Sequence, residues 1–187
     1  MKPALALAVL VALAACKRAP EEGPIVVPTQ EVVAGVGMID FTSDEAKFTA
    51  RVPGEWGVRE SRYLDPAKGL SMWDGKRTHI SITKFPEMEP RYKDARAYAE
   101  TFWMLSDKGQ PDITEEKIGG RTVLRFHYER PYYKPHSKKL EYMNRFDYAL
   151  FPIEGGFFQI EHRAPASEYK ATLPVFEAVV RSFKPKM

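Results

Sequence analysis

Between Phe48 and His162, apolar residues keep returning at every second position, and this period limits the fold more than any other feature of the chain. Side chains alternate across a strand, so a period of two is the mark of a sheet. Phe48, Ala50 and Val52 point one way and Lys47, Thr49 and Arg51 the other. A Pro53-Gly54 turn leads to Trp56 and Val58, which open a second strand, with Trp56 expected to be largely buried. Ile80 and Ile82 fall in a strand near 78–85. Further sets follow: Leu124, Phe126 and Tyr128; Phe146, Tyr148 and Leu150; and Phe158, Ile160 and His162. The last two are joined through Glu154-Gly155-Gly156, which suits a tight hairpin. A sheet with one apolar and one charged face is the antiparallel kind.

Two stripes depart from this period. Ala95, Tyr98, Phe102 and Leu105 fall at helical spacing, and Gly109-Gln110-Pro111 ends the segment. Phe176, Val180 and Phe183 make a second stripe, whose helix is expected to start near Leu173 because Pro174 is tolerated only in a first turn. Each stripe needs an apolar surface to cover, and the sheet supplies one. The fold class is therefore α+β, an antiparallel sheet with packed helices in a single domain over 41–187. A content of 44% hydrophobic residues, with 11 Phe, is ample for its core.

The amino terminus has a different composition. Lys2 is followed by an apolar run from Ala4 to Ala15 that stops at Lys17-Arg18, too short for the ~20 residues a spanning helix needs. Leu13-Ala14-Ala15-Cys16 resembles a lipobox, which implies a signal peptide over 1–15, diacylglycerol on the Cys16 sulfur and cleavage before it. Cys16 is the only cysteine, so it has no partner for an intramolecular disulfide. Two acyl chains give stable anchoring where one does not. Lys17 rather than Asp follows the cysteine, which points to the outer membrane in a Gram-negative cell. Residues 16–40 carry no aromatic residue and read as a lipidated flexible tether. Ile25-Val26-Val27 and Glu31-Val32-Val33 could instead be short edge strands.

Phe48-Thr49-Ala50-Arg51-Val52-Pro53-Gly54-Glu55-Trp56 combines with a carboxyl-terminal set. That set is Gly156-Phe157-Phe158 through Ala164-Pro165, Tyr169, Leu173-Pro174-Val175-Phe176 and Arg181-Ser182-Phe183. Together they resemble the PsbP-like family, which includes many bacterial lipoproteins. The resemblance implies an antiparallel sheet between helical layers and a binding or scaffolding role, with no catalytic residues to carry over. Some members are extrinsic subunits of photosystem II, a role that nothing in this sequence indicates.

No nucleophile elbow, phosphate loop, dinucleotide fingerprint or zinc-ligand spacing is present. His79, His127, His136 and His162 are never closely paired, and His162 is expected to be buried and hydrogen-bonded. Lys47, Arg51, Arg125, Glu129, Arg145, Asp147, Glu161 and Arg163 read as a self-neutralising polar face. Its catalytic reading would pair Asp147 with Glu161. The net charge of +3 is too small to argue for nucleic acid.

One segment stands out from this background: Arg130-Pro131-Tyr132-Tyr133-Lys134-Pro135-His136-Ser137-Lys138-Lys139 has four basic residues and no acidic one. Without those four cations the chain's formal charge falls from +3 to −1. Arg130, Tyr132, Tyr133, Lys134, His136, Lys138 and Lys139 are the candidate partner-binding residues, and the bland alternative is a solvated hairpin tip. The expectation is a membrane-anchored envelope lipoprotein with a non-catalytic binding domain and no cofactor or metal. Its partners would be the membrane, through the lipid, and an acidic envelope protein, an anionic lipid or a glycan. The alternative is an envelope hydrolase or metal-dependent enzyme whose site assembles only in three dimensions.

Overall fold

The computed structural model describes residues 31–61, 68–86, 94–102 and 112–186. They form a seven-stranded antiparallel sheet, a four-stranded antiparallel sheet and two helices, as the α+β reading expects. The large sheet has the order β4-β5-β6-β10-β9-β8-β7. Its strands are β4 (Gly57–Ser61), β5 (Lys68–Trp73), β6 (His79–Pro86), β7 (Thr114–Ile118), β8 (Arg121–Tyr133), β9 (Leu140–Ile153) and β10 (Gly156–Pro165). The small sheet joins β1 (Glu31–Val33), β2 (Val36–Ser43), β3 (Phe48–Pro53) and β11 (Lys184–Pro185). Glu154 and Gly155 make the β9–β10 turn, with Gly155 at φ +71°, a conformation that suits glycine. No helix among the described residues is long and apolar enough to cross a membrane.

The large sheet is covered on both faces, which corrects the expectation of one bare charged face. Phe158, Ile160 and His162 lie beneath α2 (Ala166–Ser182), with Ile80, Ile82, Ala149 and Phe151 on the neighbouring strands. Leu124, Phe126 and Tyr128 pair across β9 with Leu150, Tyr148 and Phe146 on the opposite face. There they pack with Phe157 against Tyr98 and Phe102, which belong to α1 (Ala95–Glu100) and the turn after it. The three apolar sets therefore serve two cores.

The Asp94 side chain caps α1 by accepting from the Ala97 N–H at 2.8 Å. Leu105 and the Gly109-Gln110-Pro111 stop lie outside the described residues. α2 starts seven residues before Leu173, so Pro174 sits within it. Proline in a helix interior costs about 3 kcal/mol. Here its ring faces solvent, while Val175, Phe176, Val179 and Val180 are all buried against the sheet and offset that cost. Glu168 in the first turn and Arg181 in the last complement the helix dipole.

Two further expectations change. Over 31–40 the tether gives way to sheet, because β1 and β2 pair there from Glu31↔Met38 to Val33↔Val36. Trp56 lies in the bend before β4 and is only half-buried, resting on the edge of the core.

Candidate functional site

The basic segment is the end of a two-stranded arm. β7 stops pairing with β8 at Arg125, and β10 stops pairing with β9 at Asn144. Beyond Arg130↔Asn144, β8 and β9 continue with only each other, through Pro131↔Met143, Tyr132↔Tyr142 and Tyr133↔Leu140. Three pairs at about 3.3 Å per residue carry the tip roughly 10 Å past the sheet. Pro131 lacks an N–H, and it falls where β8 has become an edge strand, the usual place for a strand proline.

The tip is ordered by its own backbone. The Ser137 N–H donates to Lys134 O at 3.0 Å, and Lys134 N–H to Lys139 O at 3.1 Å. Lys139 N–H donates to Ser137 Oγ at 2.9 Å, and His136 takes the left-handed conformation at φ +60°. Tyr132 stacks on Tyr142 with ring centroids 4.7 Å apart, and the Arg77 guanidinium from the β5–β6 loop lies 4.9 Å above the Tyr142 ring. Arg77 and Tyr142 are thus part of the site, though neither belongs to the basic run. Arg130, Tyr132, Tyr133, Lys134, His136, Lys138 and Lys139 are all exposed. Among the described residues the four cations form no ion pair. Cys16 lies outside the described residues.

A second polar group lies under α2. His162 is fully buried, stacked 5.3 Å from Phe176, with Nε2 3.0 Å from Thr172 Oγ1 and Nδ1 3.4 Å from Asp147 Oδ2. The Tyr169 hydroxyl donates to Asp147 Oδ1 at 3.0 Å, and burial, with the Asp147 carboxylate second, pushes that phenol up to about 12. The buried, hydrogen-bonded role expected for His162 is what the structure shows. The Asp–His–Thr order resembles a hydrolytic triad, but Thr172 lies within hydrogen-bond distance of Glu168 O (3.2 Å) and Tyr169 O (3.4 Å) within the helix. With His162 sealed in, the row acts as a fastener for α2. The cleft beside it, walled by His127, Glu129, Arg145, Asp147 and Tyr169, holds about 150 Å³, below the 300 Å³ or so that a small-molecule site needs.

A third polar group crosses the face under α1. Tyr98 donates to Gln159 Oε1 at 2.5 Å, and Gln159 Nε2 donates to Glu161 Oε2 at 3.2 Å. Burial pushes the Glu161 carboxyl up, while a hydrogen bond from Tyr148 opposes the shift. Asp147 pairs with His162 under α2, whereas Glu161 pairs with Tyr148 on the α1 side, so the two carboxylates lie on opposite faces of the sheet and cannot work as a pair. The polar residues otherwise neutralise one another, as in Arg145–Glu129 at 2.6 Å, Arg125 with Glu177, and Arg51 with Glu31. The His79 ring is lowered by burial and then by Arg163. Among the described residues no three His, Cys, Asp or Glu side chains gather as metal ligands. A groove of about 550 Å³ runs along α2, but its Arg51 and Glu31 pair with each other and its Glu177 with Arg125.

The topology has counterparts among solved structures. Cyanobacterial PsbP (CyanoP) from Synechocystis sp. PCC 6803 superposes with a TM-score of 0.53 at 11% identity, over 79% of this chain and 92% of that one. The chain has the PsbP-like fold. The Ran-binding protein Mog1p of Saccharomyces cerevisiae is similar at a TM-score of 0.51 and 13% identity, over 80% of this chain and 96% of that one. No protein-family model and no curated protein sequence matches the chain. The arm projects from this fold and carries four cations that form no ion pair among the described residues.

Proposed function

We propose that this protein is a non-catalytic envelope lipoprotein, exported and held at a membrane by lipid on Cys16, whose PsbP-like domain docks an anionic envelope component on its basic arm. The observation that carries the reading is the arm itself. A segment that holds most of the chain's positive excess projects on paired strands and is braced by a Tyr132–Tyr142–Arg77 stack, and its four cations form no ion pair among the described residues. Preorganisation of this kind lowers the entropy lost on binding. Interfaces favour tyrosine and arginine, and the arm exposes Tyr132 and Tyr133 beside Arg130. A binding role also suits the fold, since Mog1p is a Ran-binding protein. Lys17 after the cysteine points to the outer membrane in a Gram-negative cell.

The test is in-cell photocrosslinking, with the crosslinker at Tyr133 on the arm or at Glu154 in the hairpin at the other end of β9. The reading expects an adduct from Tyr133, to lipid, glycan or protein and identified by mass spectrometry, and none from Glu154. Adducts confined to Glu154, or none on the arm, would overturn it.

A further inference from the structure

The end of the arm carries a feature that electrostatics alone does not need. In unbroken register Tyr133 would face Glu141, but a β-bulge between Tyr132 and Tyr133 sets Tyr133 opposite Leu140 and leaves Glu141 outside the pairing. Bulges of this kind re-aim side chains. Two large apolar side chains, 52% and 49% exposed, therefore sit side by side at the end of the arm, beside Lys134, Lys138 and Lys139. Tyr132 adds a third, 38% exposed. A soluble glycan would be met by the lysines alone and leave the apolar pair in water, and a protein would have to offer an apolar patch inside an acidic rim. A bilayer surface uses both, because phosphate headgroups meet the cations while the acyl boundary receives Leu and the ring of Tyr.

Building on the docking function proposed above, we infer that its anionic partner is the phospholipid surface, with Tyr133 and Leu140 inserting at the headgroup–acyl boundary inside a collar of Lys134, Lys138 and Lys139. Each lysine near an anionic surface raises the docked-to-undocked ratio about fivefold, the equivalent of about 1 kcal/mol, so neutralising all three lowers it on the order of a hundredfold. Withdrawing the apolar pair lowers it roughly tenfold.

The experiment places a nitroxide at Ser137→Cys in the full chain, with Glu154→Cys as reference, reconstituted in vesicles of phosphatidylcholine alone or mixed equally with phosphatidylglycerol. The expected result is shielding of the 137 label from an aqueous relaxation agent only in the phosphatidylglycerol vesicles. It is released by high salt and by Tyr133→Ser with Leu140→Ser, while the 154 label stays accessible throughout. Equal accessibility of the 137 label in both vesicles overturns the inference, as does shielding that survives loss of the apolar pair. If a soluble acidic polysaccharide such as alginate shields the label where vesicles do not, the lipid assignment fails and the docking function stands. If neither shields it and Tyr133 yields no adduct in cells, both fail.

Discussion

Asp147→Ala should loosen α2 from the sheet, and the structure gives the size of the effect. Asp147 is 9% exposed and serves two groups, the Tyr169 hydroxyl at 3.0 Å and His162 Nδ1 at 3.4 Å. A buried polar group left without its partner costs about 1–3 kcal/mol. Tyr169 is half-buried and can turn to water, so its share lies at the low end, while the ring of His162 is sealed and its share is larger. The total is about 2–4 kcal/mol, which for a domain of this size lowers the midpoint by about 6–12 °C. Thermal and urea unfolding followed by circular dichroism measure it. His162→Phe keeps the stack on Phe176 and removes only the polar contacts, so a double-mutant cycle with Asp147→Ala should show coupling above about 1 kcal/mol. A midpoint within about 2 °C of the wild type, or strict additivity, would mean that Asp147 is a hydrated surface group and that the row does not fasten α2.

Glu161→Gln should stabilise the protein at neutral pH. Burial raises the folded-state pKa above its ordinary 4.5, so the wild type loses stability as pH rises from 4.5 towards that raised value. The advantage of the variant, followed by urea denaturation, should grow as pH rises above 4.5 and vanish below about pH 4. A β-carbon on Gly69 would lie 2.3 Å from the Ile82 carbonyl oxygen, and one on Gly57 the same distance from the Trp73 indole. Gly69→Ala should cost about 2–3 kcal/mol in denaturant titration because backbone must move, and Gly57→Ala only about 1 kcal/mol because an exposed ring can swing away. Cys16→Ser should abolish labelling by a radioactive fatty acid and leave an uncleaved precursor on a gel.

The strands were legible because their period is set by the pleat, which is local. Which face each strand presents was not, since that depends on two covers. The adjacent Phe157 and Phe158 mark a strand buried on both sides, a cue that alternation alone passes over. Pro174 suggested a helix start because the buried stripe that outweighs it is a tertiary effect. Charge segregation drew attention to 130–139, whereas Arg77 comes from a distant loop and Leu140 reaches Tyr133 only through a bulge. The Asp147–His162–Thr172 row joins two strands and a helix, and no spacing in the chain announces it.

The most direct test of the docking arm is a salt titration of binding to native envelope membranes by residues 17–187, which lack the lipid, for the wild type and for the charge-reversed Lys134→Glu, Lys138→Glu, Lys139→Glu variant. The arm predicts wild-type binding that weakens steadily as salt rises, and a variant that binds poorly at low salt and loses that dependence. The variant's unfolding midpoint should match the wild type within about 0.5 kcal/mol. Identical salt curves for two equally stable proteins would contradict the account.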